Sequence, residues 1–530
     1  NYQKAREFFK PKLEDIHSPF LMADMQKAVE RIASAIENGE KILVYGDYDV
    51  DGTTAVALMY LYLSKIVSKK YLDFYIPDRN LEGYGISDEG INYAKENNYS
   101  LIIALDCGIK AIDKIDYANS LGIDFIICDH HLPGDELPKA CAVLDPKRSD
   151  CRYPYKELSG CGVGFKLCQG LNTIYKIPES ELFDLTDLLA ISIAADIVAM
   201  TGENRVLAKL GLKTLRKTRN LGLRLLIPQE KISTFDISNI VFEIAPKINA
   251  AGRISHGKAA VKLMISENLK QAHQIVGDIL DLNDSRRELD TNITISATNQ
   301  VIETNQEKNC STIVYHPEWN KGVIGIVASR LTEVYYKPTL VFTDGNNGEM
   351  VASARSVSDF DVYEALDLCS EYFLKFGGHQ AAAGLSMEKD KFEDFKIKFE
   401  KIVSEKIQEH QKVPSISIDT TIEIEDLNRD FFNFHRKLAP FGPHNMKPVL
   451  ELKNQKVSGY VKTMGKDGGH LKFYIHQPVS GRNIECIGFK LGDYMEDFKT
   501  KSFDLAFTVE ENHWKGNVTY YLNIRDVKFR

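Results

Sequence analysis

Three short apolar runs, each followed by an acidic or histidine-bearing loop, constrain the fold of this 530-residue chain most strongly. The runs are 42–45, 101–105 and 125–128, and they lead into Gly46-Asp47, Asp106 and Asp129-His130-His131. Helical patterns at 22–37 and 53–68 flank the first run. Short strands that alternate with helices predict an α/β domain with a mostly parallel sheet. Such sheets bind ligands beyond the carboxyl ends of their strands, where these polar residues lie.

A second lobe follows a polar stretch with a helical period at 268–308, which predicts a long connecting helix. Beyond it we expect strands at 311–315 and 339–342, with a helix at 323–333 between them. A Gly-rich turn is predicted at Gly377-Gly378. The second lobe is therefore also expected to be α/β.

The C-terminal part alternates apolar and polar residues, which predicts a small β-barrel. The alternating groups are Ile416 and Ile418; Leu471, Phe473 and Ile475; and Leu505, Phe507 and Val509. We accordingly expect a catalytic domain at 1–265, a connecting helix at 266–308, a second lobe at 309–410 and a barrel at 411–530.

Bulk composition limits the function without deciding it. The net charge of −8 argues against a nucleic-acid partner, but residues 412–530 carry 18 Lys and Arg against 15 Asp and Glu. Nine cysteines without a CxxC pair argue against disulfides and a zinc ribbon, and favour a reducing cytoplasm. No apolar stretch approaches the roughly 18 residues of a membrane span. Since the first residue is Asn1, we expect the chain to begin inside a longer gene product.

The segment after the first strand carries carboxylates at alternate positions, Asp47, Asp49 and Asp51. A loop can turn such carboxylates towards one hard divalent cation. A solvated acidic loop is the ordinary alternative. An EF-hand also opens with this pattern, but its bidentate Glu would fall at Leu58.

Further candidate ligands end other elements of the same predicted domain. Asp106 and His130 follow strands, and Asp196 follows the apolar stretch 188–195. One such residue is more often a structural hydrogen-bonding group, so the argument rests on their number. Carboxylate and imidazole without thiolate favour manganese, magnesium or iron over structural zinc. Two such ions can activate water and stabilise the leaving oxygen of a phosphoester.

These motifs resemble a known family. The order and spacing of the DHH phosphoesterase motifs are matched by GDYDVDGTT, LDCG, DHH and ADIVAM. The later segments NAAGR, SARS and GGHQAAAG resemble the DHH-associated (DHHA1) domain and its lead-in. The segment LAPFGPHNMKPVL resembles the start of the RecJ oligonucleotide-binding (OB) barrel. Length and the third domain favour the RecJ exonucleases, which degrade single-stranded DNA from 5′ to 3′ in repair and recombination.

The resemblance implies a centre of two Mn²⁺ ions, with Mg²⁺ as the alternative. The implied ligands are Asp47, Asp49, Asp106, His130 and Asp196. Asp106 would bridge both ions, His131 would lie near the scissile phosphate, and Asp51 and Asp129 would orient the ligands. Some relatives carry a further His ligand just upstream, which 43–46 lacks, so we expect the first ion to bind weakly or to keep a water.

The resemblance also implies how the strand is held. Arg79, Arg253, Ser353 and Arg355 would bind a terminal 5′-phosphate, and His379 would contact the substrate. Surface salt bridges and a structural turn are the ordinary alternatives. The implied partners are single-stranded DNA and, as candidates, single-strand-binding protein and a helicase, without a membrane. Tyr460, Tyr474 and Phe473 in the barrel could stack on bases, although alternating aromatics usually form a core.

Other functions remain open. A DHH phosphodiesterase for short oligonucleotides or cyclic dinucleotides would use the same metal residues. A catalytically inactive scaffold would lack ligands, whereas the set here is intact apart from the upstream His. An inorganic pyrophosphatase would leave the C-terminal barrel unexplained.

Overall fold

A computed structural model of the chain describes residues 2–79, 81–254, 256–345, 348–514 and 517–530. The chain forms two compact units. Unit one comprises Asn1–Gly252, His256–Gly277 and Ile416–Arg530, and unit two comprises Arg253–Ser255 and Asp278–Ser415. Among the described helices, none combines the length and apolar character that a membrane span requires.

The first sheet of unit one is wholly parallel and buried. Its strands are β1 (Lys41–Gly46), β2 (Leu72–Tyr75), β3 (Tyr99–Leu105), β4 (Asp124–Cys128) and β5 (Ala142–Leu144). They pair in the order β2-β1-β3-β4-β5. Helices cover the sheet, so its central strands are apolar on both faces, as the continuous apolar runs predicted.

The helices of this region alternate with the strands and then follow them. They are α1 (Tyr2–Phe9), α2 (Met25–Glu37), α3 (Val50–Leu63), α4 (Asp88–Glu96), α5 (Ile112–Ser120), α6 (Gly160–Tyr175), α7 (Glu179–Asp184), α8 (Thr186–Ala195), α9 (Gly202–Leu215), α10 (Leu221–Leu226), α11 (Ile237–Asn239), α12 (Ala245–Ile254) and α13 (Lys258–Met264). A π-helical turn, Ile240–Ile244, joins α11 to α12. Helix α3 begins three residues before the predicted start at Thr53, because the Asp49 side chain caps it.

The strand order places a switch point between β1 and β3. From β1 the chain crosses to β2 on one side, and β3 then returns to the other side of β1. Gly46 is paired with Leu105, so Asp47 and Asp106 leave neighbouring strands at the same edge. This is the position at which open α/β sheets bind ligands.

A 35-residue helix, α14 (Leu269–Glu303), agrees with the predicted connecting helix and runs into unit two. The sheet of unit two has the order β6-β7-β8-β10-β9, mostly antiparallel. The remaining elements of unit two are β6 (Thr312–Tyr315), α15 (Ile324–Tyr335), β7 (Thr339–Asp344), β8 (Met350–Arg355), α16 (Val362–Asp367), β9 (Phe373–His379), β10 (Ala382–Met387) and α17 (Phe392–Lys406).

The prediction of a turn at Gly377-Gly378 was wrong. Both glycines lie in β9 and pair with β10, and the hairpin turn follows at residues 380–381. A Cβ at Gly378 would lie 2.4 Å from the carbonyl oxygen of Ala382. Glycine is therefore required by the close approach of the neighbouring strand rather than by a turn.

The C-terminal part of unit one forms a seven-stranded sheet in the order β11-β12-β16-β17-β15-β14-β13. Its elements are β11 (Thr420–Thr421), α18 (Arg429–Leu438), β12 (Leu450–Gln455), β13 (Lys462–Met464), β14 (His470–Gln477), β15 (Arg482–Gly488), α19 (Met495–Thr500), β16 (Phe503–Trp514) and β17 (Asn517–Phe529). The predicted alternation holds in β14 and β16, whose apolar side chains are buried. Ile416 and Ile418 lie outside any strand and are each 41% exposed, so that strand prediction was wrong.

A buried arginine joins this C-terminal part to helix α9. The Arg205 guanidinium donates hydrogen bonds to the carbonyl oxygens of Phe8 (3.1 Å), Lys437 (3.2 Å), Ala439 (2.9 Å) and Pro440 (3.0 Å). Nearby, the Met200 amide donates to Pro443 over 2.8 Å. Hydrogen bonds to backbone carbonyls thus join both parts of unit one.

Candidate metal centre

The loop between β1 and α3 is shaped by its own acidic residues. Asp49 is the N-cap of α3, and its Oδ1 accepts a hydrogen bond from the Gly52 amide at 3.0 Å. A Cβ at Gly52 would lie 2.5 Å from the carbonyl oxygen of Asp47, so the turn needs glycine. The loop therefore holds Asp47 at the sheet edge, where the Asp47 carboxylate is buried.

Asp51 has its hydrogen-bonding capacity met by protein groups. Its oxygens accept from the amides of Gly160 (2.7 Å) and Cys161 (2.8 Å) at the start of α6, and from Ser192 Oγ (2.7 Å). Three donors fix this carboxylate in one orientation. No sequence pattern marks Ser192, although it lies four residues before Asp196.

Asp106 stands in a strained position at the end of β3. Its φ is 61°, which a residue other than glycine seldom adopts. Its amide donates to the Cys128 carbonyl at 2.8 Å. A Cβ at Gly160 would lie 2.5 Å from the Asp106 Cβ, so α6 approaches only because glycine stands there. Strain of this kind persists where the surroundings enforce it, most often at functional sites.

His130 brings three elements together. Its Nε2 lies 3.2 Å from Asp106 Oδ1, 3.5 Å from Asp196 Oδ2 and 3.8 Å from Asp51 Oδ2. Among the described residues, neither ring nitrogen of His130 has a hydrogen-bond partner, and Asp47 Oδ1 and Asp106 Oδ1 also lack one. Buried polar atoms without partners are costly. A divalent cation would satisfy them, so the donor set fits the metal centre that the motifs implied.

The tightest groups of possible ligand atoms differ in part from the implied set. Asp106, His130 and His131 form one group, and Asp51, His130 and Asp196 form the other, with atoms within 4.8 Å of one another in each. The implied ligands Asp47 and Asp49 are absent from both groups. The Asp49 side chain instead caps α3.

Asp129 orients His131. The His131 Nδ1 lies 2.7 Å from Asp129 Oδ1, and the other oxygen of Asp129 accepts from the Ile109 amide at 2.9 Å. Burial alone would lower the pKa of His131, but the bond to Asp129 and its charge raise it overall. Burial would raise the pKa of Asp129, yet the same bond and charge lower it to about 2. The His131 side chain is 46% exposed and so can reach a substrate.

Tyr84 and Tyr48 are neighbours that the sequence reading did not single out. The Tyr84 hydroxyl lies 3.4 Å from His131 Nε2 and donates to the Asp106 carbonyl at 3.3 Å. The Arg79 guanidinium stands 5.1 Å from the centre of the Tyr48 ring. Its charge lowers the pKa of Asp47, against burial, which raises it. Arg79 is thus within electrostatic reach of the centre, while Asn80 beside it lies outside the described residues.

The remaining predicted contacts lie in unit two. Arg253 donates to the Gly322 carbonyl at 3.1 Å. Arg355, at the end of β8, donates to Ser353 Oγ at 2.9 Å. His379 is exposed at the end of β9, where its Nδ1 accepts from the Ala381 amide at 3.3 Å.

Burial and, after it, repulsion between neighbouring carboxylates raise the pKa values of the acids at the centre. Burial and the charge of Asp49 raise the pKa of Asp47 to about 8. Burial and the neighbouring carboxylates also raise the pKa of Asp196 to about 8 and that of Asp106 well above its usual range. Without a cation, these groups therefore hold protons at neutral pH, and cation binding must displace them.

Comparison with known proteins shows which family the chain belongs to. Three family models match the chain: the DHH family, N-terminal domain at 41–193, the DHHA1 domain at 308–405 and the RecJ OB domain at 418–526. A protein of Salmonella typhimurium described as single-stranded-DNA-specific exonuclease RecJ is 30% identical over 96% of this chain and 90% of its own length. The chain belongs to the RecJ family.

Two further RecJ proteins are similar over nearly the whole chain. The RecJ exonuclease of Bacillus subtilis is 36% identical over 99% of this chain, which spans 66% of that relative's length. The crystal structure of RecJ in complex with Mn²⁺ from Thermus thermophilus matches with a TM-score of 0.83 and 26% identity, covering 99% of this chain and 74% of that one. The α/β lobes and C-terminal OB domain expected from the sequence are confirmed.

The raised pKa values predict a pH-dependent stabilisation by metal. In the metal-free chain, the folded state retains protons that the unfolded state releases near pH 4, so its free energy of unfolding falls as pH rises towards 8. Mn²⁺ competes with those protons at pH 6 and much less at pH 8. We expect Mn²⁺ to raise the thermal unfolding midpoint more at pH 8 than at pH 6.

The controls for this measurement are two Asp→Asn variants. Asn tolerates positive φ, so Asp106→Asn should fold and lose most of the Mn²⁺-induced rise. Asp135→Asn, at an exposed position, should retain the rise. Equal rises at both pH values, or a full rise in Asp106→Asn, would contradict the assignment.

Proposed function

We propose that this chain hydrolyses the phosphodiester bonds of single-stranded DNA stepwise from the 5′ end. The observation that carries the proposal is the convergence of Asp106, Asp196 and Asp51 on His130. Within the described parts of the chain, both ring nitrogens of His130 and Oδ1 of Asp106 lack a hydrogen-bond partner. Curated relatives that match nearly the whole chain are named single-stranded-DNA-specific exonucleases. The cellular setting that we propose is DNA repair and recombination.

The proposed centre holds two ions, Mn²⁺ or Mg²⁺. We assign Asp47, Asp49, Asp106, His130 and Asp196 as the ligands. Bound divalent ions would activate a water and offset the charge of the leaving oxygen. Asp51 and Asp129 would orient the centre through the hydrogen bonds they accept.

His131 is proposed to act on the phosphate itself. Its Nδ1 is engaged by Asp129, so the ring presents Nε2 to a substrate. The raised pKa of His131 favours the protonated ring, which can donate a hydrogen bond to a phosphate oxygen. Tyr84, 3.4 Å from the same nitrogen, would steady the ring until substrate arrives.

The proposed polarity follows from the products. Water adds to phosphorus, and the bond to the 3′ oxygen of the terminal nucleotide breaks, with a proton passing to that oxygen. The released nucleotide keeps its own 5′-phosphate, and the shortened strand carries a new one. A site that recognises a 5′-phosphate therefore finds the same group after each cycle.

Unit two offers such a site around the start of helix α15. A Cβ at Gly325 would lie 3.0 Å from Arg355 Nη2 and 3.1 Å from Ser353 Oγ, so both side chains adjoin the first turn of this helix. Arg253 is bonded to Gly322, just before the same helix. Arginine, a hydroxyl and a helix N-terminus all favour phosphate. We assign this group, with Arg79 and His379, to binding of the strand.

The OB domain is proposed to bind the strand beyond the active site. Phe473 is fully buried and cannot stack on a base, whereas Tyr460 is 60% exposed.

We place the domain boundaries at residues 265, 308 and 410. Single-strand-binding protein and a helicase stay candidate partners.

The first test is digestion of a long single strand labelled at its 3′ end, in Mn²⁺. We expect steadily shortening labelled fragments, because each step removes the unlabelled 5′ nucleotide. Asp106→Asn should produce none, since a proposed bridging ligand is lost, and Asp135→Asn should match the wild type.

Two results would contradict this proposal. Cleavage of only two- or three-nucleotide substrates would favour the short-oligonucleotide phosphodiesterase. Immediate release of the 3′-labelled nucleotide would show that the chain degrades the strand from its 3′ end.

The second test concerns the 5′-phosphate. Arg355→Ala should slow cleavage of 5′-phosphorylated strands about tenfold to a hundredfold, the worth of a hydrogen bond between charged groups, and should spare 5′-hydroxyl strands. Arg287→Ala, an exposed position in the same unit, serves as control. An equal loss on both substrates, measured as kcat/KM, would argue against a terminal-phosphate role.

A further inference from the structure

A fifth strand, β5, also ends at the edge that carries the metal centre. It pairs in parallel with β4, and Cys128 is in register with Leu144. The Asp129 amide donates to the Leu144 carbonyl at 2.9 Å. Asp129 and Asp145 therefore leave adjacent strands side by side. Strand β5 is only three residues long, too short for the sequence pattern to predict it.

The loop after β5 is held rigidly. The Lys147 amide donates to Asp145 Oδ1 at 2.7 Å. The next residue, Arg148, is buried, and its guanidinium pairs with Asp24 and Asp150, each at 2.7 Å. The backbone of Lys147 is thus fixed on both sides, at the edge where His130 and His131 leave β4.

The Lys147 side chain is partly buried but has no hydrogen-bond or ion-pair partner for its Nζ among the described residues. The parallel pairing of β5 with β4 places the Lys147 loop beside Asp129 and the two histidines that follow it, and the charge of Lys147 acts on the centre from there. Burial and the charges of Asp51 and Asp49 raise the pKa of Asp196, and Lys147 opposes them. Burial lowers the pKa of His130, and Lys147 adds to that effect. A partly desolvated, unpaired ammonium beside a phosphate-cleaving centre is a ready counterion for an incoming anion.

We propose that Lys147 binds a non-bridging oxygen of the phosphate under attack. This inference rests on the proposed phosphodiester hydrolysis. The ammonium is a compact charge on a flexible four-carbon stem, suited to follow a phosphate as its charge distribution changes. Lys147 would therefore stabilise the transition state more than the bound substrate, and its loss would appear mainly in the chemical step.

The alternative is a structural role, in which the positive charge of Lys147 only compensates the negative charge of the buried carboxylates. Asp145 Oδ2 is buried without a partner in the described chain, and burial raises the pKa of Asp145 to about 7. In that case, removal of the ammonium would change folding or Mn²⁺ binding rather than cleavage of bound DNA. The two roles are separable by experiment.

The test compares Lys147→Gln, Lys147→Arg and the exposed control Lys139→Gln. Three quantities are measured. They are the single-turnover cleavage rate of saturating 5′-phosphorylated single-stranded DNA in Mn²⁺, the Kd for that DNA with Ca²⁺ in place of Mn²⁺, and the Mn²⁺-induced rise in unfolding midpoint. We expect Lys147→Gln to slow cleavage about a hundredfold, with Kd changed less than about threefold and the Mn²⁺ effect retained. Lys147→Arg should recover part of the rate, and Lys139→Gln should match the wild type.

Three results would overturn the inference. If Lys147→Gln cleaves DNA at the same rate as Lys139→Gln, the Lys147 side chain makes no contact with the reacting phosphate that affects the rate. A lost Mn²⁺ effect would make Lys147 a structural residue of the centre. A weaker Kd with an unchanged saturated rate would place its contact elsewhere on the strand. An inactive wild-type chain would instead refute the proposed function, so the two failures are distinguishable.

Discussion

The burial of neighbouring carboxylates is the constraint on which the rest of this structure depends. Asp47, Asp106 and Asp196 meet at one sheet edge, where burial and neighbouring negative charge raise the pKa of each. Folding alone does not favour such a cluster, because the energy of desolvating charge must be offset elsewhere. A bound divalent cation offsets this desolvation energy directly. The affinity for metal and the local instability of the metal-free fold therefore have the same cause.

The surrounding structure is arranged to hold that cluster together. Asp106 adopts a positive φ. Gly160 and Gly52 have no side chain at the points where the backbone and the carboxylate-bearing residues approach closely. The start of α6 donates two amides to Asp51. These features carry local costs that a sheet built for stability alone would avoid, and they concentrate where the strands of a parallel sheet end.

The sequence predicted those parts of the site that local pattern encodes. Apolar runs ending in Asp47, Asp106 and Asp129 located the sheet edge, and the family motifs supplied candidate roles. Contacts that depend on tertiary packing were missed: Ser192 on Asp51, Tyr84 beside His131, and Lys147 after a three-residue strand. Gly377-Gly378 resembled a turn because only the paired strand β10 explains why glycine is needed there. Ile416 and Ile418 alternate without forming a strand, since alternation specifies a face and not a pairing partner.

Anomalous diffraction from crystals of the chain grown with Mn²⁺ tests the central claim most directly. The account predicts two manganese peaks at the carboxyl edge of the first sheet, one within bonding distance of Asp47 and Asp106 and one within bonding distance of Asp106 and His130. Manganese bound only elsewhere on the chain, or an edge without any peak at saturating Mn²⁺, would contradict it.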